Sequence, residues 1–122
     1  MLNLNTIMIN SEDPTALAAF YRKVLGDPGW EDESYTGWQA GSGMLMIGPH
    51  SEVKGTNEMP GRIILNFETT DVQGEFNRLK GLGARVEAEP YQPGPAGGEM
   101  WLATLADPDG NLFQLASPMP ET

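Results

Sequence analysis

The 122-residue chain has no cysteine, a single histidine, His50, and seven basic residues against seventeen acidic ones. Without cysteine there can be no disulfide, no thiol nucleophile and no thiolate metal site. The shortage of lysine and arginine leaves a formal charge of -10, which repels phosphate backbones and anionic lipid surfaces. Nucleic acid and membrane surfaces are therefore not expected partners. The same field favours cationic small molecules, although acidity that merely keeps a domain soluble is the commoner origin of such a balance. No apolar run approaches the roughly 18 to 20 residues that span a bilayer. The opening MLNLNTIMINSEDP has neither a positive n-region nor a long apolar h-region, so a cytoplasmic setting is expected. Also missing are a nucleophile–base pair, a glycine-rich phosphate loop and an aromatic–basic patch.

What is present is a pattern stated twice. In the first half, LNLNTIMIN reads as a strand with Ile7 and Ile9 toward the core and Thr6, Met8 and Asn10 on the other face. Asp13 and Pro14 then form a helix start, and Leu17, Phe20, Tyr21, Val24 and Leu25 keep helical spacing up to Gly26. Short strands are expected at Gly29 to Glu31, Ser34 to Ala40 and Gly43 to Gly48. In the second half, Arg62 to Thr69 reads as a strand with Ile63, Leu65 and Phe67 on one face and Ile64, Asn66 and Glu68 on the other. A helix capped by Thr70 or Asp71 carries Val72, Phe76, Leu79 and Leu82 and stops at Gly83. Strands at Ala84 to Glu87, Glu99 to Leu105 and Leu112 to Ala116 complete it, with a Pro- and Gly-rich loop at Tyr91 to Gly98.

The repeat distance is about 58 residues, from Asp13 to Asp71. Two copies make a paired module and not a solenoid. The expected fold is α+β: a single domain over 1–122, with module one at 1–48, an exposed linker at 49–61 and module two at 62–122. The tandem β-α-β-β-β modules would form a curved, half-barrel mixed sheet with helices outside and a concave cleft inside.

Two motifs in this frame, AFYRKVLG at Ala19 to Gly26 and DPDGN at Asp107 to Asn111, make the chain resemble the vicinal oxygen chelate superfamily. That group holds glyoxalase I, extradiol dioxygenases, fosfomycin-resistance thiol transferases and bleomycin-binding resistance proteins. The resemblance implies metal-ligand positions in the first and last strand of each module, often His in the first and a carboxylate in the last. Counted onto this chain, those positions are Thr6, Met46, Ile64 and Gln114. None is a His, Asp or Glu, so no metal ligand and no cofactor are expected. A one-residue slip would bring Ile7, Leu65 and Phe113 to that face instead and restore no ligand.

The expected inward face carries Thr6, Met8, Asn10, Met44, Met46, Ile64, Asn66, Glu68, Leu112 and Gln114, a mixed lining suited to a small molecule. The methionines serve equally well as core filler. Trp30, Trp38 and Trp101 lie on or near strands, where each could stack on a flat ligand or belong to a core or dimer interface. The candidate ligand-binding set is Thr6, Met8, Trp38, Met46, Ile64, Asn66, Glu68, Trp101 and Gln114. Glu68 is the one candidate base, should burial raise its pKa. Asp107 and Asp109 belong to a turn, and His50 to the linker.

Three functions stay open. The first is a metal-free, homodimeric relative of the bleomycin-binding proteins that sequesters an organic small molecule, a cationic drug or metabolite included, as in antibiotic resistance. The second is a glyoxalase-type lyase or isomerase, or a dioxygenase-like enzyme. The third is a small accessory or regulatory domain with no ligand.

Overall fold

The structure, a computed structural model, describes residues 1–95 and 98–118. The chain divides into two compact units, 1–56 and 57–122, each with one helix and one open four-stranded sheet. In the first unit the order along the chain is β1 (Thr6–Ser11), α1 (Pro14–Leu25), β2 (Trp30–Glu31), β3 (Thr36–Ala40) and β4 (Gly43–Pro49). The second repeats it with β5 (Leu65–Glu68), α2 (Val72–Gly81), β6 (Arg85–Tyr91), β7 (Leu102–Ala106) and β8 (Leu112–Ala116). The α+β class and the doubled β-α-β-β-β order are as the sequence implies.

The two sheets have one topology. Their strand orders are β1-β4-β3-β2 and β5-β8-β7-β6. In each, the first and last strands pair in parallel and the remaining neighbours antiparallel. A parallel pair needs a crossover, and the helix with the two intervening strands supplies it.

Both helices begin on an aspartate. The Asp13 carboxylate accepts from the Ala16 N–H at 3.2 Å, with Pro14 at the first helical position, and Asp71 accepts from the Gly74 N–H at 2.9 Å. These caps satisfy N–H groups that have no partner inside the helix. The helices end near Gly26 and Gly83, whose φ values of 89° and 93° suit only glycine.

The core of each unit lies between helix and sheet. In the first, Leu17 and Tyr21 of α1 cover Leu45, Ile47 and Trp38. In the second, Val72, Phe76 and Leu79 of α2 cover Leu105, Phe113 and Leu115, and the Phe67 and Phe113 rings meet edge-on at 6.0 Å. Burying such side chains stabilises by about 1.5 to 3 kcal/mol each.

Several expectations need correction. Ile7, expected in the core, is exposed because β1 is an edge strand. Arg62 and Ile63 do not begin β5, since Pro60–Arg62 forms a 3₁₀ turn and Ile63 is 75% exposed. Leu82 is exposed at the end of α2. β6 runs beyond Glu87 to Tyr91, through Pro90; it is an edge strand with register shifts, where a residue without an N–H is tolerated. β7 starts at Leu102 and not at Glu99. Of the expected loop at Tyr91 to Gly98, residues 96 and 97 lie outside the described residues.

Candidate functional site

Strand periodicity assigns each sheet two faces, one against its helix and one turned away. In the first unit, register sets Met8 beside Met46, Met46 beside Gly37, and Gly37 beside Trp30. These four residues form one row across all four strands on the face away from α1. Met8 is 50% exposed and Trp30 is also exposed, while Met46 is half-buried. A Cβ at Gly37 would stand 3.5 Å from both the Trp30 ring and the Met44 methyl group. The indole and the thioether thus converge over the position that has no side chain. The row offers a soft, polarizable, apolar surface.

The equivalent row of the second unit is Asn66 beside Gln114, Gln114 beside Thr104, and Thr104 beside Ala88. Here the chemistry is polar. The Gln114 side-chain N–H donates to Thr104 Oγ1 at 3.0 Å, and Thr104 is 8% exposed. Asn66 is exposed, and its side-chain N–H makes a long 3.4 Å bond to the Ile64 carbonyl. The turn before β8 is built around the buried Asp107, whose carboxylate accepts from the backbone N–H groups of Asp109 at 2.9 Å and Asn111 at 3.0 Å. The Asn111 side-chain amide also donates to it, at 3.0 Å. Asp107 and Asp109 therefore serve the turn.

Register brings Met8 and Met46 together in one unit and Asn66 and Gln114 together in the other. Thr6 starts β1 opposite Met44, and Ile64 precedes β5, half-buried and outside its register. Glu68 ends β5 opposite Ala116 on the Gln114 side and is exposed.

One tryptophan is a correction. Trp38 is 2% exposed, stands beside Leu45, and its indole N–H donates to the Gly26 carbonyl at 2.9 Å. It is a core residue under the end of α1. Trp101 is exposed just before β7 and lines a shallow pocket of about 240 Å³ with Pro90, Val72 and Gln73 at the start of α2, on the helix side and away from Gln114. In the first unit a second hollow of about 310 Å³ lies beside α1, where Arg22 pairs with Glu31. Near it the Asp32 carboxylate is held below its ordinary range by the backbone N–H groups of Ser34 and Tyr35. His50 is exposed, and its Nδ1 accepts from the Glu52 N–H at 3.1 Å.

Counting from the sequence missed Thr104 as the partner of Gln114. The signal was available: in a hairpin centred on Asp109, five residues back is Thr104 and five forward is Gln114. It placed Trp30 on a short strand but gave it no face, because a two-residue strand carries almost no periodic signal.

A family model described as a glyoxalase-like domain matches residues 6–116. The chain belongs to that family. No curated protein sequence matches it. Solved structures of the same fold include a glyoxalase-related enzyme from Fulvimarina pelagi, 22% identical with a TM-score of 0.77, covering 97% of this chain and 89% of that one. A glyoxalase/bleomycin resistance protein/dioxygenase family enzyme from Burkholderia phytofirmans PsJN is 22% identical, with a TM-score of 0.76 over 95% and 98% of the two chains. Lactoylglutathione lyase from Agrobacterium tumefaciens is 21% identical, with a TM-score of 0.73 over 98% and 96%. At these identities the likeness establishes the fold of this glyoxalase-like chain. Among the described residues no three His, Asp or Glu side chains gather to hold a metal ion, and no helix is long and apolar enough to cross a membrane.

Proposed function

We propose that this glyoxalase-like chain binds an organic small molecule without a metal ion. In each of its two modules, 1–48 and 62–122 joined by the linker 49–61, the candidate surface is the sheet face turned away from the helix. The observation that carries this reading is the identity of the residues at the positions the superfamily commonly uses for ions. Thr6, Met46, Ile64 and Gln114 bring one hydroxyl, one thioether, one hydrocarbon and one amide, and an oxygen-loving divalent ion needs several hard or imidazole ligands. The residues do not fit that ion.

Sequestration requires no catalytic group, and none of the candidate residues has the surroundings of one. On this reading the protein works as a cytoplasmic homodimer, in the manner implied by the resistance proteins of the superfamily. Thermal-shift screening of chelator-treated protein against cationic antibiotics and neutral metabolites tests it. A ligand at a hundred times its Kd stabilises by about 2.7 kcal/mol, which is roughly 10 °C in Tm for a domain of this size. Stabilisation without added metal is the expected result. Stabilisation that appears only after Ni, Zn, Mn or Fe is restored would favour a glyoxalase-type lyase or isomerase instead.

A further inference from the structure

We infer that the polar row of the second unit recognises a neutral amide-type group, such as a carboxamide, lactam or urea, on the bound molecule. This rests on the proposed small-molecule function and names the chemistry of its ligand. Asn66, Gln114 and Thr104 lie side by side on β5, β8 and β7, strands that stand about 4.8 Å apart. The bond to buried Thr104 fixes one end of the Gln114 carboxamide, and the Gln114 carbonyl oxygen receives no hydrogen bond from any described residue. Beside it, the Asn66 carboxamide is tied only by its long bond to the Ile64 carbonyl.

A carboxamide carries two N–H donors and a two-lone-pair acceptor. The two side chains therefore offer an acceptor on Gln114 next to a donor on Asn66. A ligand amide holds an N–H and a C=O in one planar unit and can answer both. A carboxylate brings acceptors only and an ammonium donors only, so neither can engage a donor and an acceptor of the pair together.

The surrounding charges reward neither sign. The row itself is neutral. Among the described strand residues of this unit, register sets one cation on this face, Arg85 opposite Ala106, on the edge strand two strands from Gln114 and paired with Glu87 at 2.9 Å. The anions are Glu87, already paired with Arg85, and Glu68, exposed at the end of β5, where an added cation competes with water.

The test titrates the ¹⁵N-labelled full chain with benzamide, benzoate and benzylammonium and follows the side-chain amide signals of Asn66 and Gln114. Benzamide should shift both signals saturably and bind about tenfold more tightly than either charged probe. Replacing exposed Asn66 by Ala should lower benzamide affinity about tenfold and leave benzylammonium unchanged. Gln114→Glu should invert the preference toward benzylammonium. Equal or tighter binding of a charged probe by wild type, or saturating benzamide with both signals unmoved, overturns the inference. In that event a ligand found in the thermal-shift screen would leave the proposed function standing; a chelator-treated protein that nothing stabilises would remove it too.

Discussion

The two units are built on one frame and carry opposite chemistry. Each has the same strand order, an aspartate-capped helix and a sheet face packed against that helix. On the other face, Met8, Met46, Gly37 and Trp30 of the first occupy the register positions of Asn66, Gln114, Thr104 and Ala88 of the second. The difference separates two kinds of constraint. The helix-facing side must bury a close-packed set, so its apolar pattern recurs. The opposite side is free of that demand, and its chemistry has diverged.

The largest effects should be shared by both units, since they touch the common frame. Phe113→Ala should cost about 3 to 5 kcal/mol and Leu45→Ala about 2 to 5, measured by denaturant unfolding. A small loss in one unit alone would mean that the cores are not equivalent. Next comes a feature of the second unit only: Asp107→Ala removes an acceptor of three N–H groups and should cost about 2 to 3 kcal/mol. At the short Gly41-Ser42 link between β3 and β4 the tie is instead the exposed Gln39 amide, which donates to the Gly41 and Gly43 carbonyls.

Exchanging the rows sharpens the contrast. Gln114→Met leaves the Thr104 hydroxyl without its partner and should cost about 1 to 2 kcal/mol. Adding Thr104→Val should recover most of that, and a double-mutant cycle reads the coupling. A Gln114→Met loss that Thr104→Val leaves untouched would show that the pair is not coupled. The helix caps should again treat the units alike, with Asp13→Ala and Asp71→Ala each costing about 1 kcal/mol in denaturant unfolding.

The smallest effect belongs to the first unit. The Asp32 carboxylate, bound by the Ser34 and Tyr35 N–H groups at 2.8 Å, titrates below its ordinary value of 3.8. Its contribution is therefore present above that value and lost as pH falls through the lower folded one. The protection factors of the Ser34 and Tyr35 amides, with the intrinsic pH dependence of exchange divided out, should fall over that acidic range in wild type. Asp32→Asn should abolish the pH dependence.

The frame was largely legible because its signals are local. Asp13-Pro14 and Asp71 mark helix starts, and β8 falls on Leu112–Ala116 as the alternation indicates. Misreadings arose where a neighbour decides. Ile63 reads as strand but follows a turn that starts at Pro60, and β6, expected to end at Glu87, runs on through Pro90 because it lies on an edge. Trp38 looked available to a ligand because aromatics do both jobs; its pairing with Leu45 places it in the core. The Gln114 position was readable from the repeat, whereas its bond to Thr104 required hairpin register.

On our proposal, an amide, Gln114, stands in the second unit at a position where the superfamily commonly ligates an ion. Elemental analysis of protein purified without chelator tests this most directly. No stoichiometric transition metal is expected. One Ni, Zn, Mn or Fe per chain would contradict it.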